Sequence, residues 1–233
     1  MLPDLPPTFV GTREALRALS CYAVSPARKA RTGRIGLRSY GDGIATPPFE
    51  DGGRIRLYGD ELHLPSGEVV RLTTIAAAAS VLGVELSDDP GVGRDLPPYE
   101  PEAELLVDRD ASLALGTWYA FAQRTLDGLR IVVGAETSLS EAQLWPEHFD
   151  LALVASDASK ATKVNVGFSP GDTYDGDPYV YVGPHDLAAF DRSDSYWNAP
   201  FGAVLPYAAL VRAADPEAVA LRFISDGLAR LDL

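Results

Sequence analysis

The sequence predicts an α+β fold with antiparallel strands, arranged as two similar halves. Apolar residues alternate with a period of two in both halves, and each half closes with a helical pattern. The halves span 1–86 and 102–233, and an acidic connection rich in proline and glycine, 87–101, joins them. We expect all 233 residues to form a single domain, with helices packed on the aliphatic face of one sheet. Identity between the halves is weak, so duplication is a hypothesis.

The first half reads as a helix, a β-meander and a second helix. Thr12 is a candidate N-cap for a helix that runs toward Ala30, and Pro26 interrupts or restarts that helix. From 34 to 72 the period changes to two, with turns rich in glycine and proline. Thr73 or Thr74 then caps a short alanine-rich helix.

The second half begins with a helix over 111–126, in which Trp118 lies on an apolar stripe typical of core packing. Asp215 caps the last helix, with Pro216 in its first turn. Alternation between these helices predicts strands at 149–153, 164–168, 179–182 and 203–205.

Alternation gives the central meander of the second half two unlike faces. One face is aliphatic or aromatic core, formed by Phe149, Leu151, Leu153, Val166, Phe168, Val180 and Val182. The opposite face collects polar and aromatic residues: His148, Asp150, Asn165, Tyr179 and Tyr181. Such residue types favour a covered or ligand-bearing face over one that is only solvated.

We therefore predict a small-ligand site on the second face. Its candidate residues are Trp145, His148, Asp150, Asn165, Tyr179, Tyr181 and Trp197. The irregular stretch Tyr196-Trp197-Asn198 would form part of the roof of its cavity. Aromatic rings beside carboxylates suit sugars, cations or flat organic ligands. The alternative is that these rings only plug the second face of the sheet.

A hydrolase-type enzyme, with or without a metal ion, is the second hypothesis. His148 and Asp150 are two residues apart, so on a strand they share a face, and Asp150 could orient His148 as a general base. No serine elbow and no metal-enzyme spacing occurs, so we expect neither a metal nor a cofactor. A protein-interaction or oligomerisation module is the third hypothesis.

Charge and composition limit the classes of partner and the cellular location that we expect for the protein. The net charge of −13 argues against nucleic acid, and no apolar run is long enough to span a membrane. The basic stretch from Arg28 to Arg38 is interpreted as a solvated helix end. A single cysteine, Cys21, is interpreted as a small core residue and indicates a reducing, cytoplasmic location.

The second half also resembles a bacterial, largely actinobacterial family of α+β domains. The resemblance rests on Leu144-Trp145-Pro146-Glu147-His148-Phe149-Asp150, on Gly167-Phe168-Ser169-Pro170-Gly171, on Pro178-Tyr179-Val180-Tyr181, and on Leu205-Pro206-Tyr207 followed by Asp215-Pro216-Glu217. It covers about the last 90 residues and is fainter before them. The resemblance implies a fold and no activity.

Overall fold

The computed structural model describes residues 2–188 and 190–233, and it confirms the α+β class. Its α-helices are α1 (Phe9–Leu19), α2 (Ser25–Thr32), α3 (Ile75–Leu82), α4 (Arg109–Val132), α5 (Tyr207–Val211) and α6 (Pro216–Ala229). The early strands are β1 (Arg38–Tyr40), β2 (Gly43–Ala45), β3 (Arg56–Tyr58), β4 (Glu61–His63) and β5 (Val69–Arg71). The later strands are β6 (Ser138–Leu139), β7 (Gln143–Leu144), β8 (Leu151–Asp157), β9 (Thr162–Ser169), β10 (Tyr179–Pro184) and β11 (Ala203–Pro206).

The chain forms two compact units. One, here called the N-terminal unit, comprises 4–120 and 144–149; the other, the C-terminal unit, comprises 2–3, 121–143 and 150–233. The strands form two sheets, of five and six strands, so the expectation of one joined sheet is wrong. Each meander closes its own hydrogen-bonding ladder. Whether the halves are duplicates stays a prediction.

In the N-terminal unit, a π-helical turn (Ser20–Val24) joins α1 to α2, and all five of its residues are buried. Pro26 lies in the first turn of α2, where its missing N–H costs little. Thr12 is not the N-cap, because α1 already begins at Phe9 and the Thr12 hydroxyl accepts the N–H of Asp108 at 3.0 Å. Helix α2 ends at Gly33, whose φ of 70° suits glycine.

The five-stranded sheet is a pure meander, in the order β1-β2-β3-β4-β5. Ile44, Leu57 and Leu62 lie on its buried face. Helix α3 follows as expected, since Thr74 accepts the N–H of Ala77 at 3.0 Å and Gly83 adopts a φ of 67° at the C-terminus.

Residues 87–101 form a loop within the N-terminal unit that packs on the helices. Val92 is fully buried beside Cys21 and Tyr22, and the Tyr22 hydroxyl donates to the Pro97 carbonyl at 2.5 Å. Cys21 is a core residue as expected, because it is fully buried, and this burial raises the pKa of its thiol to about 12. Its thiol donates to the Pro146 carbonyl at 3.2 Å.

In the C-terminal unit the sheet order is β11-β10-β9-β8-β6, and β7 also pairs with β8. The predicted core face is confirmed for the residues that lie in β8, β9 and β10, which are at most 2% exposed: Leu151, Leu153, Val166, Phe168, Val180 and Val182. Phe149 is also buried, but it precedes β8 and belongs to the N-terminal unit. Phe121 of α4 packs on Phe168 with ring centroids 5.8 Å apart. Helix α6 packs on β10, where an added Cβ at Gly227 would lie 3.0 Å from Val182.

Among the described residues, no helix is long and apolar enough to cross a membrane.

Candidate functional site

Two phenol–carboxylate pairs lie side by side on the second face of the six-stranded sheet. The hydroxyl of Tyr181 donates to Oδ2 of Asp150, and the hydroxyl of Tyr179 donates to Oδ2 of Asp172 at 2.7 Å. The two tyrosine rings are neighbours, with centroids 6.2 Å apart. Asp150 is only 8% exposed, so its pairing offsets part of the cost of burying a carboxylate. Together the pairs place one buried and one exposed carboxylate beside aromatic rings.

Strand register explains how Tyr181 reaches Asp150. Tyr181 lies directly opposite Gly167 on the neighbouring strand β9. A Cβ at Gly167 would collide with the hydroxyl end of the Tyr181 ring, so glycine leaves room for the ring to lie across the strand. Asp150 precedes β8, whose Ala152 pairs with Gly167, and its carboxylate therefore meets the phenol above that glycine.

Tyr174 and Phe201 complete the aromatic surface. Oδ1 of Asp172 accepts the N–H of Tyr174 at 2.7 Å, which fixes the turn that carries this ring. Tyr174 meets Tyr179 at 5.7 Å and Phe201 at 5.0 Å between centroids, in edge-to-face geometry. Tyr174 remains 45% exposed. We call this set the tyrosine–aspartate face: Asp150, Asp172, Tyr174, Tyr179, Tyr181 and Phe201.

The electrostatics of this face keep both phenols protonated. Burial, followed by the charge of Asp150, raises the pKa of Tyr181 well above its ordinary value. Burial and the hydrogen bond to Asp172 likewise raise the pKa of Tyr179. A phenol with a raised pKa is a stable donor and a poor base at neutral pH. The face therefore presents fixed carboxylates and rings, and its tyrosines are not suited to proton abstraction.

The strand predicted at 149–153 begins later, so the shared face of His148 and Asp150 is wrong. Residues 146–148 form a turn in which the Trp145 carbonyl accepts the N–H of Phe149 at 2.7 Å. Phe149 has a φ of 58°, and β8 starts only at Leu151. His148 is exposed on this turn, and Trp145, which precedes the turn, is 38% exposed.

The Tyr119 hydroxyl holds this turn by donating to the carbonyl of Phe149. A bulky residue with positive φ is rare, so the alternation around it gave no sign of the reversal. Period-two reasoning therefore failed at His148 and succeeded again from Asp150 onward, where the side chain does reach Tyr181.

Asn165 lies on the predicted face, farther along β9 from the tyrosine pairs. It is half-buried, and its Oδ1 lies 2.8 Å from Nε2 of His185. Its strand partner is Gly183, two residues beyond Tyr181. Asn165 thus borders the tyrosine–aspartate face and is engaged by a histidine that the sequence prediction did not include.

The stretch Tyr196-Trp197-Asn198 does not roof the face as predicted. Trp197 is 8% exposed and packs between Phe190 and Tyr196, each at 4.8 Å between centroids. Tyr196 donates to the carbonyl of Phe223 on α6 at 2.8 Å. Because α6 covers the opposite, aliphatic face, Trp197 belongs to that packing. Asn198 instead bonds both backbone groups of Val204 on the β11 edge, at 2.8 and 3.0 Å.

Sequence reasoning missed Asp172, Tyr174 and Phe201. Asp172 and Tyr174 lie in an acidic turn, between the strands whose alternation predicted the site. The spacing of an aspartate two residues before Tyr174 is that of an Asx turn, which could have indicated an ordered ring. Nothing local distinguishes Phe201 from its aromatic neighbours in the same loop. No three residues of metal-binding type cluster within the described 2–188 and 190–233.

A separate concavity lies within the N-terminal unit. This cleft of about 500 Å³ has mostly apolar walls from α2, from the residues around β3 and β4, and from the end of α3. Ala27, Ile55, Leu64 and Val81 are among its lining residues. It contains none of the predicted site residues.

Comparison of the chain with family models, with curated proteins and with solved structures finds no match. The resemblance of its last residues to a bacterial α+β family stays a prediction.

Proposed function

We propose that the protein binds a small organic cation, an amine or quaternary ammonium, on the tyrosine–aspartate face. The observation that carries the proposal is the pairing of Asp150 and Asp172 with two phenols whose rings adjoin those of Tyr174 and Phe201. Ring faces and carboxylates both attract a cation, and the attraction of a ring for a cation grows as the cation loses water.

The carboxylate of Asp172 can accept further hydrogen bonds. An ionised carboxylate offers about four acceptor sites, and one phenol uses one of them. Oδ1 of Asp172 accepts the backbone N–H of Tyr174, and Oδ2 accepts the hydroxyl of Tyr179. The side chain of Asp172 remains exposed. An ammonium group can approach Asp172 without breaking either bond. The net charge of −13 adds long-range attraction for the same sign of ligand.

The hydrolase hypothesis loses its geometric support, because it required His148 and Asp150 on one strand face and neither lies in a strand. The interaction-module hypothesis has no specific contact in its favour. A cytoplasmic location remains part of the proposal, on the strength of the single cysteine.

The test uses two probes of nearly equal shape and different charge, choline and 3,3-dimethylbutan-1-ol. We expect choline to shift the NMR resonances of Tyr174 and Tyr179 saturably, and the neutral alcohol to bind at least about tenfold more weakly. Asp172→Asn should weaken choline binding by about tenfold, as should Phe201→Leu.

Asp191→Asn and Phe223→Leu are the matched controls. Asp191 is also an exposed carboxylate in an Asx-type turn, since it accepts the N–H of Ser193 at 2.8 Å. Phe223 is a ring on α6, against Tyr196. Equal binding of the two probes, or equal losses in the control variants, contradicts a cation site on this face.

A further inference from the structure

The outer face of the five-stranded sheet concentrates arginine and tyrosine in an acidic protein. Residues directly opposite one another in the meander share a face, and the register places Arg38 and Arg56 in one row. Tyr58, Glu61 and Arg71 form the next row. Arg54 lies two residues before Arg56. We call the core of this surface the arginine–tyrosine face: Arg38, Tyr40, Arg54, Arg56 and Tyr58.

Guanidinium groups and rings alternate along this face. The guanidinium carbon of Arg54 lies 4.1 Å from the centroid of Tyr40. That of Arg56 lies 5.4 Å from Tyr40 and 4.3 Å from Tyr58, so it is positioned between the two rings. Tyr40 is 43% exposed. The stack holds planar cations in fixed orientations while leaving an aromatic surface open to solvent.

The positive charge on this face is only partly compensated. Asp60 pairs with Arg109 at 3.0 Å and with Arg71 at 3.3 Å, at one end of the sheet. Within the described residues, Arg54 and Arg56 make no ion pair. Nε of Arg56 is buried there without a hydrogen-bond acceptor. A buried donor without an acceptor is costly, so the charge of Arg56 is incompletely compensated.

Arg28 adds a second uncompensated guanidinium. The basic stretch was interpreted as a solvated helix end, but Arg28 is only 6% exposed, and its Nη1 has no acceptor in the part of the chain that the structure describes. Burial lowers the pKa of Arg28, and the nearby charges of Arg38 and Arg34 lower it further. Arg28 therefore lies close to Arg38, which belongs to the arginine–tyrosine face.

We infer that the arginine–tyrosine face binds a mononucleotide-like ligand, a planar ring that carries a phosphate. Guanidinium groups bind phosphate oxygens through paired N–H donors, and within the described residues no ion pair occupies the guanidinium groups of Arg54 and Arg56. The open ring of Tyr40 and the planar group of Arg54 offer stacking surfaces for the ligand's ring. The net charge of −13 repels a polyanion, so the occupant is one nucleotide rather than a nucleic acid strand.

The probe is adenosine 5′-monophosphate, compared with adenosine and with inorganic phosphate. We expect the nucleotide to shift the backbone resonances of β1 and β3 saturably, with each fragment binding at least about tenfold more weakly. Raising the salt concentration from about 0.05 M to about 0.5 M should weaken nucleotide binding by about tenfold, because salt screens the attraction between phosphate and guanidinium groups.

Arg54→Gln and the double variant Arg54→Gln/Arg56→Gln should each lose nucleotide affinity, the double variant by at least about tenfold. Since Arg56 packs between two rings, Arg54→Gln serves if the double variant does not fold. Arg222→Gln, an exposed arginine on α6, is the matched control and should bind as the parent does.

Unchanged affinity in Arg54→Gln overturns the proposal, as does the absence of binding at millimolar nucleotide. A ten-residue oligonucleotide that binds about tenfold more tightly than the mononucleotide replaces it with a nucleic-acid surface. Equal binding of adenosine and the nucleotide removes the phosphate from the assignment.

Discussion

The two sheets use tyrosine in opposite ways. On the tyrosine–aspartate face the hydroxyl matters, because Tyr179 and Tyr181 donate to carboxylates. On the arginine–tyrosine face the ring matters, because Tyr40 and Tyr58 lie against guanidinium groups. The sign of the neighbouring charge decides which property of the side chain is used: an anion recruits the donor and a cation recruits the π surface. Alternation in the sequence alone cannot distinguish these outcomes.

The largest expected effect separates the two faces of the six-stranded sheet. Phe168→Ala should reduce the free energy of unfolding by about 3–5 kcal/mol, because Phe168 is fully buried against Phe121. Tyr174→Leu, on the tyrosine–aspartate face, should change it by no more than about 1 kcal/mol. Urea unfolding followed by circular dichroism measures both. Comparable losses would mean that the outer rings are part of the core.

Gly167→Ala tests whether the space beneath Tyr181 is needed. The new Cβ would expel the ring and break its bond to Asp150, which should destabilise the protein by about 2–3 kcal/mol. Gly183→Ala is the matched control on the neighbouring strand, where the nearest atom would lie 3.5 Å away. A loss at Gly167 no greater than that at Gly183, in the same unfolding experiment, would show that the ring can move aside.

Removing single hydroxyl groups examines the comparison directly. Tyr181→Phe should cost about 1–2 kcal/mol, because the buried Asp150 loses a donor. Tyr40→Phe should be neutral within about 0.5 kcal/mol, because the ring under Arg54 is kept. Thermal melts of both variants give the two values. Equal costs would contradict the division between donor and ring.

The smallest expected effect on stability at neutral pH comes from the raised pKa values of Tyr179 and Tyr181, and this effect increases at alkaline pH. Tyr179 and Tyr181 keep their protons above the ordinary phenol pKa of 10.0, whereas unfolded tyrosines ionise near it. The unfolded state then binds fewer protons, so stability should fall as pH rises through 10. The Tyr179→Phe/Tyr181→Phe double variant should show a shallower decline in urea midpoints between about pH 9 and 11. An identical decline would show that these phenols are not the cause.

Much of the fold followed from local chemistry. The alternation from Val164 to Phe168 predicted both the strand and its buried face, and Asp215 and Thr74 predicted two helix starts. These signals are local, because period and capping depend on neighbours within a few residues. The number of sheets could not be predicted from such local signals. Whether two meanders share a ladder depends on long-range edge pairing, which their sequences do not encode separately.

The site was predictable only in part. Asp150, Tyr179 and Tyr181 come together as the strand pattern predicted, because register follows from periodicity. The prediction for His148 was wrong because the positive φ of Phe149 interrupts the strand. The prediction for Trp197 was wrong because the direction of an irregular loop is set by tertiary packing. The interpretation of Arg28 as part of a solvated helix end was wrong, because arginine usually prefers solvent and its burial has no local sign in the sequence.

The π-helical turn at Ser20–Val24 joins α1 to α2 and changes the direction in which the side chains of α2 point around the helix axis. A π turn holds one residue more than an α turn, and each residue rotates the following side chains by about 100° around the axis. Deleting one residue from this turn would rotate every side chain of α2 about the helix axis. Arg28 would then leave its buried position while the exposed Ala30 and Arg31 shifted around the same axis. The position of a buried charge is thus set by how many residues precede it in the turn.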